Sequence, residues 1–542
     1  MAKQTYLTSP DQTITGYPSG IKYIIGNEGC ERFSFYGMRA ILYVYVVGLF
    51  LNLRGLSHDE ATAAGTATTH LFIAGTYALP LIGAVMADRL LGKYRTILWL
   101  SAVYCLGHAA LAIFEGPGPQ LALFGQVLID PIHGLYLGLA LIAVGSGGIK
   151  PCVSAHVGDQ FGKGNWHLIE KIYNAFYFII NFGSAFATVL IPIIRGKQLL
   201  VDGKYVYEGS VAWAFAVPGI LMGLATIFFW AGRRNFVHVP ATHPGRRGLL
   251  DVLSGTALFM VIGWPIFFGD STEGWIADVA ISAGCLALFA ALFAVRQRIE
   301  QDDGFLAQTF FAIQARLTGR DQGAGEPPRP GDPDLRDHWF YGPAARRFGS
   351  GVTEGPLAVW RIISVFLMIS VFWALFDQHA STWVAQAQTM DRQLDFGLGG
   401  WLGIGAAMGA FIGLAALLSV RAAERRVVAF VVGMAVGLGL GYAGYAFGPS
   451  FEVQPSQVPA TNPFMVMLLI PLTTFGLYPL MDRLGISPHP LRRISMGMGV
   501  GALAFVSVAL LQARIDAVGP GHVHIAWQLI PYLLLTLSEV MV

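Results

Sequence analysis

Four ionisable side chains, Glu28, Glu31, Arg32 and Arg39, sit inside one long apolar stretch, residues 22–52. A charge near the centre of a bilayer costs roughly 2.5 to 3.5 kcal/mol even on the lenient insertion scale, so such groups face a protein interior or a water-filled cavity. At 3.6 residues per turn, Glu28, Glu31, Arg32, Phe35 and Arg39 share one helix face. Glu28 precedes Arg32 at the i, i+4 spacing, the favourable order for a helical ion pair. Carboxylates beside guanidiniums away from water can trade protons, because burial and a neighbouring cation pull an acid's proton affinity in opposite directions. A structural salt bridge tying helices together is the other reading of the same residues.

The element that carries these charges belongs to a chain of one class. Hydrophobic residues make up 54% of the sequence and charged ones 13%. The apolar runs approach 20 residues, the length that crosses roughly 30 Å of hydrocarbon. We read an all-α polytopic membrane protein. The formal charge of +2 and the scatter of basic residues through short loops exclude a nucleic-acid binder. Cys30, Cys105, Cys152 and Cys285 lie in or beside apolar segments without metal-ligand spacing and read as reduced core residues, so neither a metal nor a cofactor is expected. The polar stretch before Lys22 leads into a span too long for a signal peptide's apolar core, so no cleaved leader is expected.

Spans are expected at 22–52, 67–88, 96–114, 121–153, 172–194 and 210–231, an N-terminal six-helix bundle over 1–232. An inserted helix pair, 249–268 and 275–295, and a polar, Gly- and Pro-rich stretch form a linker over 233–357. Spans resume at 358–386, 399–420, 427–447, 463–484, 491–512 and 526–542, a C-terminal bundle over 358–542 with a second inserted pair, 399–447. Basic residues gather on alternate loops (Lys3 and Lys22; Arg89, Lys93 and Arg95; Lys163 and Lys171; Arg233 and Arg234; Arg296 and Arg298; Arg421, Arg425 and Arg426; Arg483, Arg492 and Arg493). Arg195, Lys197 and Lys204 are the one dissenting cluster. The positive-inside rule then puts the N-terminus in the cytoplasm, in a multi-pass protein of the cytoplasmic (inner) membrane.

The run Glu28-Gly-Cys-Glu31-Arg32-Phe33-Ser34-Phe35-Tyr36-Gly37-Met38-Arg39 resembles the glutamate-rich signature of the proton-dependent oligopeptide transporters, a branch of the major facilitator superfamily. Further matches follow in order: Gly83 to Lys93 after the second span, Gly145 to Phe161, Phe176 to Ser184, Phe372 to Trp383, Thr461-Asn462-Pro463, Pro490-Leu-Arg-Arg, and Pro531 to Glu539. The resemblance implies the major facilitator fold, two six-helix bundles in inverted repeats around a site at mid-membrane. It implies that Arg32 and Lys150 hold a peptide's carboxyl end, and that Asn181, Asn462 and Glu539 hold its amino end. It also implies two ion pairs between the bundles, Arg39 with Asp377 and Lys150 with Glu539, that make and break as the bundles rock. His70 stands where animal members of the family have a proton-sensitive histidine.

The residues have readings of their own beside that resemblance. A zwitterionic peptide needs a cation, an anion and amides, which Arg32, Arg39, Lys150, Glu539, Asn181 and Asn462 supply. Tyr36 and Tyr77 offer hydroxyls and Trp373 an apolar wall. Lys150 could equally snorkel to an interface, His70 could be a packing residue, Trp373 could be core, and the two asparagines could be interhelical glue. The glycines at 145, 147 and 148 suit close helix packing, since no phosphate-loop motif accompanies them.

The sequence departs from the family pattern in three places. Phe35 stands where many members have tyrosine, the 399–447 pair replaces a short loop, and the chain stops three residues after Glu539, before the two closing helices. Fourteen spans against the sixteen required make this chain read as a fragment of a longer protein, its C-terminal bundle incomplete. The expected function is proton-coupled import of di- and tripeptides, with Glu28 and Glu31 carrying the proton, Arg32 balancing them and His70 assisting. A transporter of nitrate or another small anion and a non-transporting peptide sensor are the alternatives. No His-Glu-x-x-His or Gly-x-Ser-x-Gly motif suggests an enzyme. The expected partners are di- and tripeptides, protons and the lipid bilayer.

Overall fold

The computed structural model describes residues 6–115, 121–123, 126–201, 204–269, 274–299, 304–319, 331, 333–395, 397–403, 405–406, 409, 413, 423–447 and 450–542. Among them, ten helices are long and apolar enough to cross a membrane, with two shorter apolar helices, Phe430–Ala446 and Ile525–Met541. The chain divides into two compact units, Met1–Gln378 and His379–Met541.

In the first unit, α1 (Ile21–Arg54) is the most enclosed helix: 83% of its apolar window is buried, against none of that in Trp275–Ile299. It ends at Gly55, whose φ of 62° is a left-handed stop that glycine adopts without strain. The next helix, α2 (His58–Ala78), begins nine residues before the expected 67. Ser57 and Glu60 form a capping box there, so the backbone starts to wind before the composition turns apolar. Consequently His70 lies well inside the helix instead of near its start. Pro80 opens α3 (Pro80–Met86), which continues through a π-helical turn, Ala87–Leu91, to α4 (Lys93–Ile113).

Residues 121–129 do not extend the fourth span as expected. Instead β1 (Leu121–Leu123) pairs antiparallel with β2 (Gln126–Ile129). The helix α5 (Pro131–Gly158) starts only where Asp130 accepts the His133 N–H at 2.8 Å and proline takes the first position. After α6 (Ile169–Arg195), a second antiparallel pair, β3 (Gln198–Val201) and β4 (Lys204–Tyr207), leads to α7 (Val211–Ala231). This pair accounts for part of the dissenting basic cluster. Arg195 is 1% exposed and its guanidinium lies 5.3 Å from the Tyr207 ring, a packed cation in place of a loop charge.

The inserted pair is present as α8 (Arg246–Phe267) and α9 (Trp275–Ile299), which pack on each other. The expected linker is not all irregular: it holds α10 (Phe305–Thr318) and α11 (Gly342–Phe348), and α12 (Ser350–Phe376) begins eight residues before 358. Ala312, Leu335, Tyr341, Ala344 and Leu357 bury a small core beneath them, which is why a stretch rich in charge still folds.

The second unit opens with α13 (Thr382–Gln388). Its core is built around Trp383, whose ring meets Tyr532 at 5.1 Å and Phe505 at 5.7 Å. The Tyr532 hydroxyl donates to the His379 carbonyl at 2.9 Å. Strands Gln393–Asp395 and Ser450–Glu452 pair antiparallel. Of the expected 399–447 pair, Ala423–Phe447 is helical, and most of 399–420 lies outside the described residues. A Cβ on Gly433, Gly437 or Gly441 would run into backbone at Gly413, Gly409 or Gly405, the close small-residue packing typical of membrane helices. Helix Thr461–Leu472 passes through a π turn, Thr473–Leu477, into Tyr478–Arg483, and is followed by Pro490–Val518 and Leu529–Met541.

Candidate functional site

The charged face of α1 faces inward. Glu28 and Glu31 are 1% and 0% exposed. Arg32 Nε donates to Glu28 Oε1 at 2.6 Å and lies 3.1 Å from Glu31 Oε2. Ser146 Oγ on α5 donates to Glu31 Oε1 at 3.1 Å, so one guanidinium and one hydroxyl hold two carboxylates. Two turns along, Arg39 Nη2 donates to Asp377 Oδ1 at 2.5 Å, with both side chains 7% exposed or less. His70 on α2 is half-buried and within electrostatic range of both members of that pair.

Lys150 lies eight residues inside the C-terminal end of α5. Its Nζ lies 4.3 Å from the Phe35 ring and 4.9 Å from the Tyr77 ring, a cation held between two aromatic faces. Tyr77 thus presents its ring to Lys150, while its hydroxyl is within electrostatic range of Asp377 and Arg39. Phe35 also packs edge to face on Tyr36 at 5.4 Å. Lys150 is within electrostatic range of Arg32, Glu31, Arg39 and Asp377. Among the described residues, Glu28, Glu31 and Asp377 against Arg32, Arg39 and Lys150 make a neighbourhood of six formal charges that sum to zero.

Close helix approach positions this set. Gly83 on α3 faces Gly148 on α5 so tightly that a Cβ on the former would run into the backbone of the latter. The glycines at 145–148 do serve packing. Asn181 on α6 is 8% exposed and donates to the Tyr177 carbonyl of its own helix at 3.0 Å. Trp373 on α12 stands edge-on to Phe372 and Phe376, at 5.3 and 5.2 Å, and keeps 37% of its surface accessible. In the second unit Asn462 Nδ2 donates to Glu539 Oε2 at 2.6 Å and Thr536 Oγ1 at 3.1 Å, which brings two expected site residues together.

Other buried polar groups escaped the sequence reading. Ser34 Oγ and His108 Nε2 are 2.9 Å apart, both residues fully buried, and the Tyr104 ring stacks on His108 at 5.1 Å. Asn27 is also fully buried. The available signal was the spacing of Tyr104 and His108, one turn apart on α4. Cys30, Cys105, Cys152 and Cys285 are free thiols.

This arrangement has relatives. The sequence pattern of the POT family matches residues 94–247, 354–442 and 444–542. Human solute carrier family 15 member 2 is 29% identical over 515 residues, covering 95% of this chain and 52% of the relative. Solute carrier family 15 member 1 of Oryctolagus cuniculus is 28% identical over 515 residues, with 93% and 53% covered. The chain thus spans about half the length of the curated relatives it matches. Among solved structures, an auto-inhibited POT family peptide transporter is 31% identical with a TM-score of 0.61, covering 97% of this chain and 81% of that one. The POT family transporter PepTSo gives the same identity and TM-score, with 97% and 82% covered. These likenesses carry the major facilitator fold, and the chain belongs to the POT family.

Proposed function

We propose that the protein is a proton-driven symporter that imports di- and tripeptides across the cytoplasmic membrane, its N-terminus in the cytoplasm. The observation that carries this reading is the buried, charge-balanced set around Glu28, Glu31, Arg32, Arg39, Lys150 and Asp377. A proton entering a net-zero set leaves one excess positive charge, and the carboxylate of a bound peptide cancels it. Proton and substrate therefore favour each other's binding, which is the thermodynamic content of coupling. Arg32 and Lys150 serve the peptide's carboxyl end. Glu539, steadied by Asn462, serves its amine with Asn181, while Tyr36 and Trp373 flank the side chains. Protonation of Asp377 removes its attraction for Arg39 and frees the pair to open; the same logic applies to Lys150 with Glu539. His70, beside the first pair, assists the proton's passage. The auto-inhibited solved relative, 31% identical, is a peptide transporter, which supports the substrate class.

The test is uptake of labelled dialanine by reconstituted liposomes, with and without an inward proton gradient. Wild type accumulates peptide only with the gradient. Glu28→Gln and Glu31→Gln, which keep shape and hydrogen bonds but cannot titrate, lose driven accumulation and better preserve exchange. Driven uptake equal to wild type in both variants makes these carboxylates structural. Nitrate uptake in place of dialanine uptake favours the small-anion reading. Peptide binding without any uptake favours a sensor.

A further inference from the structure

Away from the charged set, a groove of about 540 Å³ runs between α3 and α8, lined by Leu81, Val85, Val252, Phe259, Ile262 and Phe267 among others. Its size falls within the roughly 300 to 1,000 Å³ of small-molecule sites. Along the chain, the lining residues Val85 and Val252 lie next to basic ones, and Arg89, Arg247 and Arg296 share one electrostatic neighbourhood. Arg89 follows Val85 by a turn in the chain, Arg246 and Arg247 precede Val252 at the start of α8, and Arg296 arrives from the end of α9.

The junction is built, not loose. The Thr242 N–H and hydroxyl both donate to the Asp88 carbonyl, at 2.8 and 2.9 Å. A side chain at Gly248 would run into the Arg89 carbonyl, so α8 begins directly against this turn. The local acids do not balance the arginines. Arg296, 5% exposed, donates from Nε to Asp251 Oδ1 at 2.8 Å. Among the described residues, four arginines thus stand near two aspartates, and Asp251, paired with Arg296, also acts on Arg247. His243 senses the surplus: burial first, then Arg247 and Arg89, hold its imidazole below the usual histidine range.

A trough of carbon near surplus guanidinium matches one kind of molecule, with an alkyl chain at one end and an anion at the other. We propose that this is a site for a single anionic phospholipid, its phosphodiester on Arg89, Arg246 and Arg247 and one acyl chain laid between α3 and α8. Guanidinium pairs with phosphate oxygens through parallel N–H bonds, a geometry that an ammonium cannot match. Basic pockets between membrane helices at the cytoplasmic side recognise anionic headgroups in this way. Free phosphate would satisfy the arginines alone; the apolar groove nearby selects the lipid. Bound there, the lipid fills the seam between the inserted pair and the rest of the first unit.

Native mass spectrometry of the detergent-purified protein tests this, with phosphatidylglycerol and phosphatidylcholine of identical acyl chains as probes and inorganic phosphate as a third arm. Phosphatidylglycerol should be retained at least about tenfold better than phosphatidylcholine. Arg89→Gln and Arg247→Gln should each weaken it about fivefold, the effect expected of one basic group beside an anionic headgroup, while Arg247→Lys loses less. Gly255→Leu projects into the groove from a position with open space around it and should weaken retention with every arginine in place. Equal retention of both lipids by wild type overturns the proposal, and that comparison stands even if a variant fails to fold. Displacement of phosphatidylglycerol by millimolar phosphate, or full retention in Gly255→Leu, overturns the acyl-chain assignment and with it the lipid site.

Discussion

Neutralising Asp377 is the sharpest perturbation of the charged set. Its Oδ1 is 2.5 Å from Arg39 Nη2, and neither side chain is more than 7% exposed. At that separation and an effective dielectric of about 20, the Coulomb attraction is about 7 kcal/mol. Desolvation of both ions offsets much of it, and the penalty for removing one partner of a buried pair is roughly 3 to 5 kcal/mol. Arg39 Nε has no partner among the described residues, so the guanidinium is poorly placed to compensate. Asp377→Asn and Arg39→Gln should each lower the melting temperature in detergent by about 3 to 5 °C, using the entropy of unfolding expected for a chain of this size. Asp377→Arg combined with Arg39→Asp should recover part of the loss. The measurement is thermal unfolding followed by tryptophan fluorescence, with gradient-driven uptake on the same preparations. Single variants that melt within about 1 °C of wild type, or a swap no better than the worse single change, refute the pairing energy argued from this geometry.

Ser34→Ala leaves the His108 Nε2 buried without its 2.9 Å partner and should cost roughly 1 to 3 kcal/mol; adding His108→Phe should return part of it in the same melting assay. Gly83→Val forces a branched side chain against the Gly148 backbone, and the overpacking should cost roughly 1 to 3 kcal/mol or prevent folding, read as melting temperature and monodisperse yield. Burial holds the His238 imidazole below its usual range, with Arg95 adding to the effect, although Nε2 donates to the Arg233 carbonyl at 2.7 Å. Its neutral form thus adds stability that is present above the unfolded value of about 6.5 and is lost as pH falls from there toward the folded value. The melting temperature of wild type minus that of His238→Gln should therefore shrink as the pH is lowered from about 7.5 to about 5.5. Deleting 397–447 with a short linker should leave dipeptide binding intact, checked by isothermal titration of the inserted protein.

The charged face of α1 was legible because buried charge is rare, so Glu28, Glu31, Arg32 and Arg39 announce themselves in one sequence. Asn462 and Glu539 were legible through the resemblance, being 77 residues apart with no periodicity to join them. The pairing of Ser34 with His108 was not, because it exists only once α1 and α4 meet. Hydropathy also misplaced two boundaries. It cannot see the capping box at Ser57 that starts α2, and the strands at 121–129 are as apolar as a helix until Asp130-Pro131 interrupts them. In the 296–357 stretch, charge and proline masked the few apolar residues that α10 and α11 bury.

The contact between Gly83 and Gly148 fixes distances that no rotamer can adjust. Where two helices touch through backbone alone, there is no side chain to yield, so a tilt of α3 carries α5 along with it. Lys150 is two residues beyond Gly148, and Tyr77 is six before Gly83. The backbone separation beneath the Lys150 ammonium and the Tyr77 ring, 4.9 Å apart, is then set by the scaffold. The backbone from which that ammonium extends is therefore held at a constant distance from α3. Under the proposed function, discrimination among peptides of different length would then fall to groups other than this helix pair.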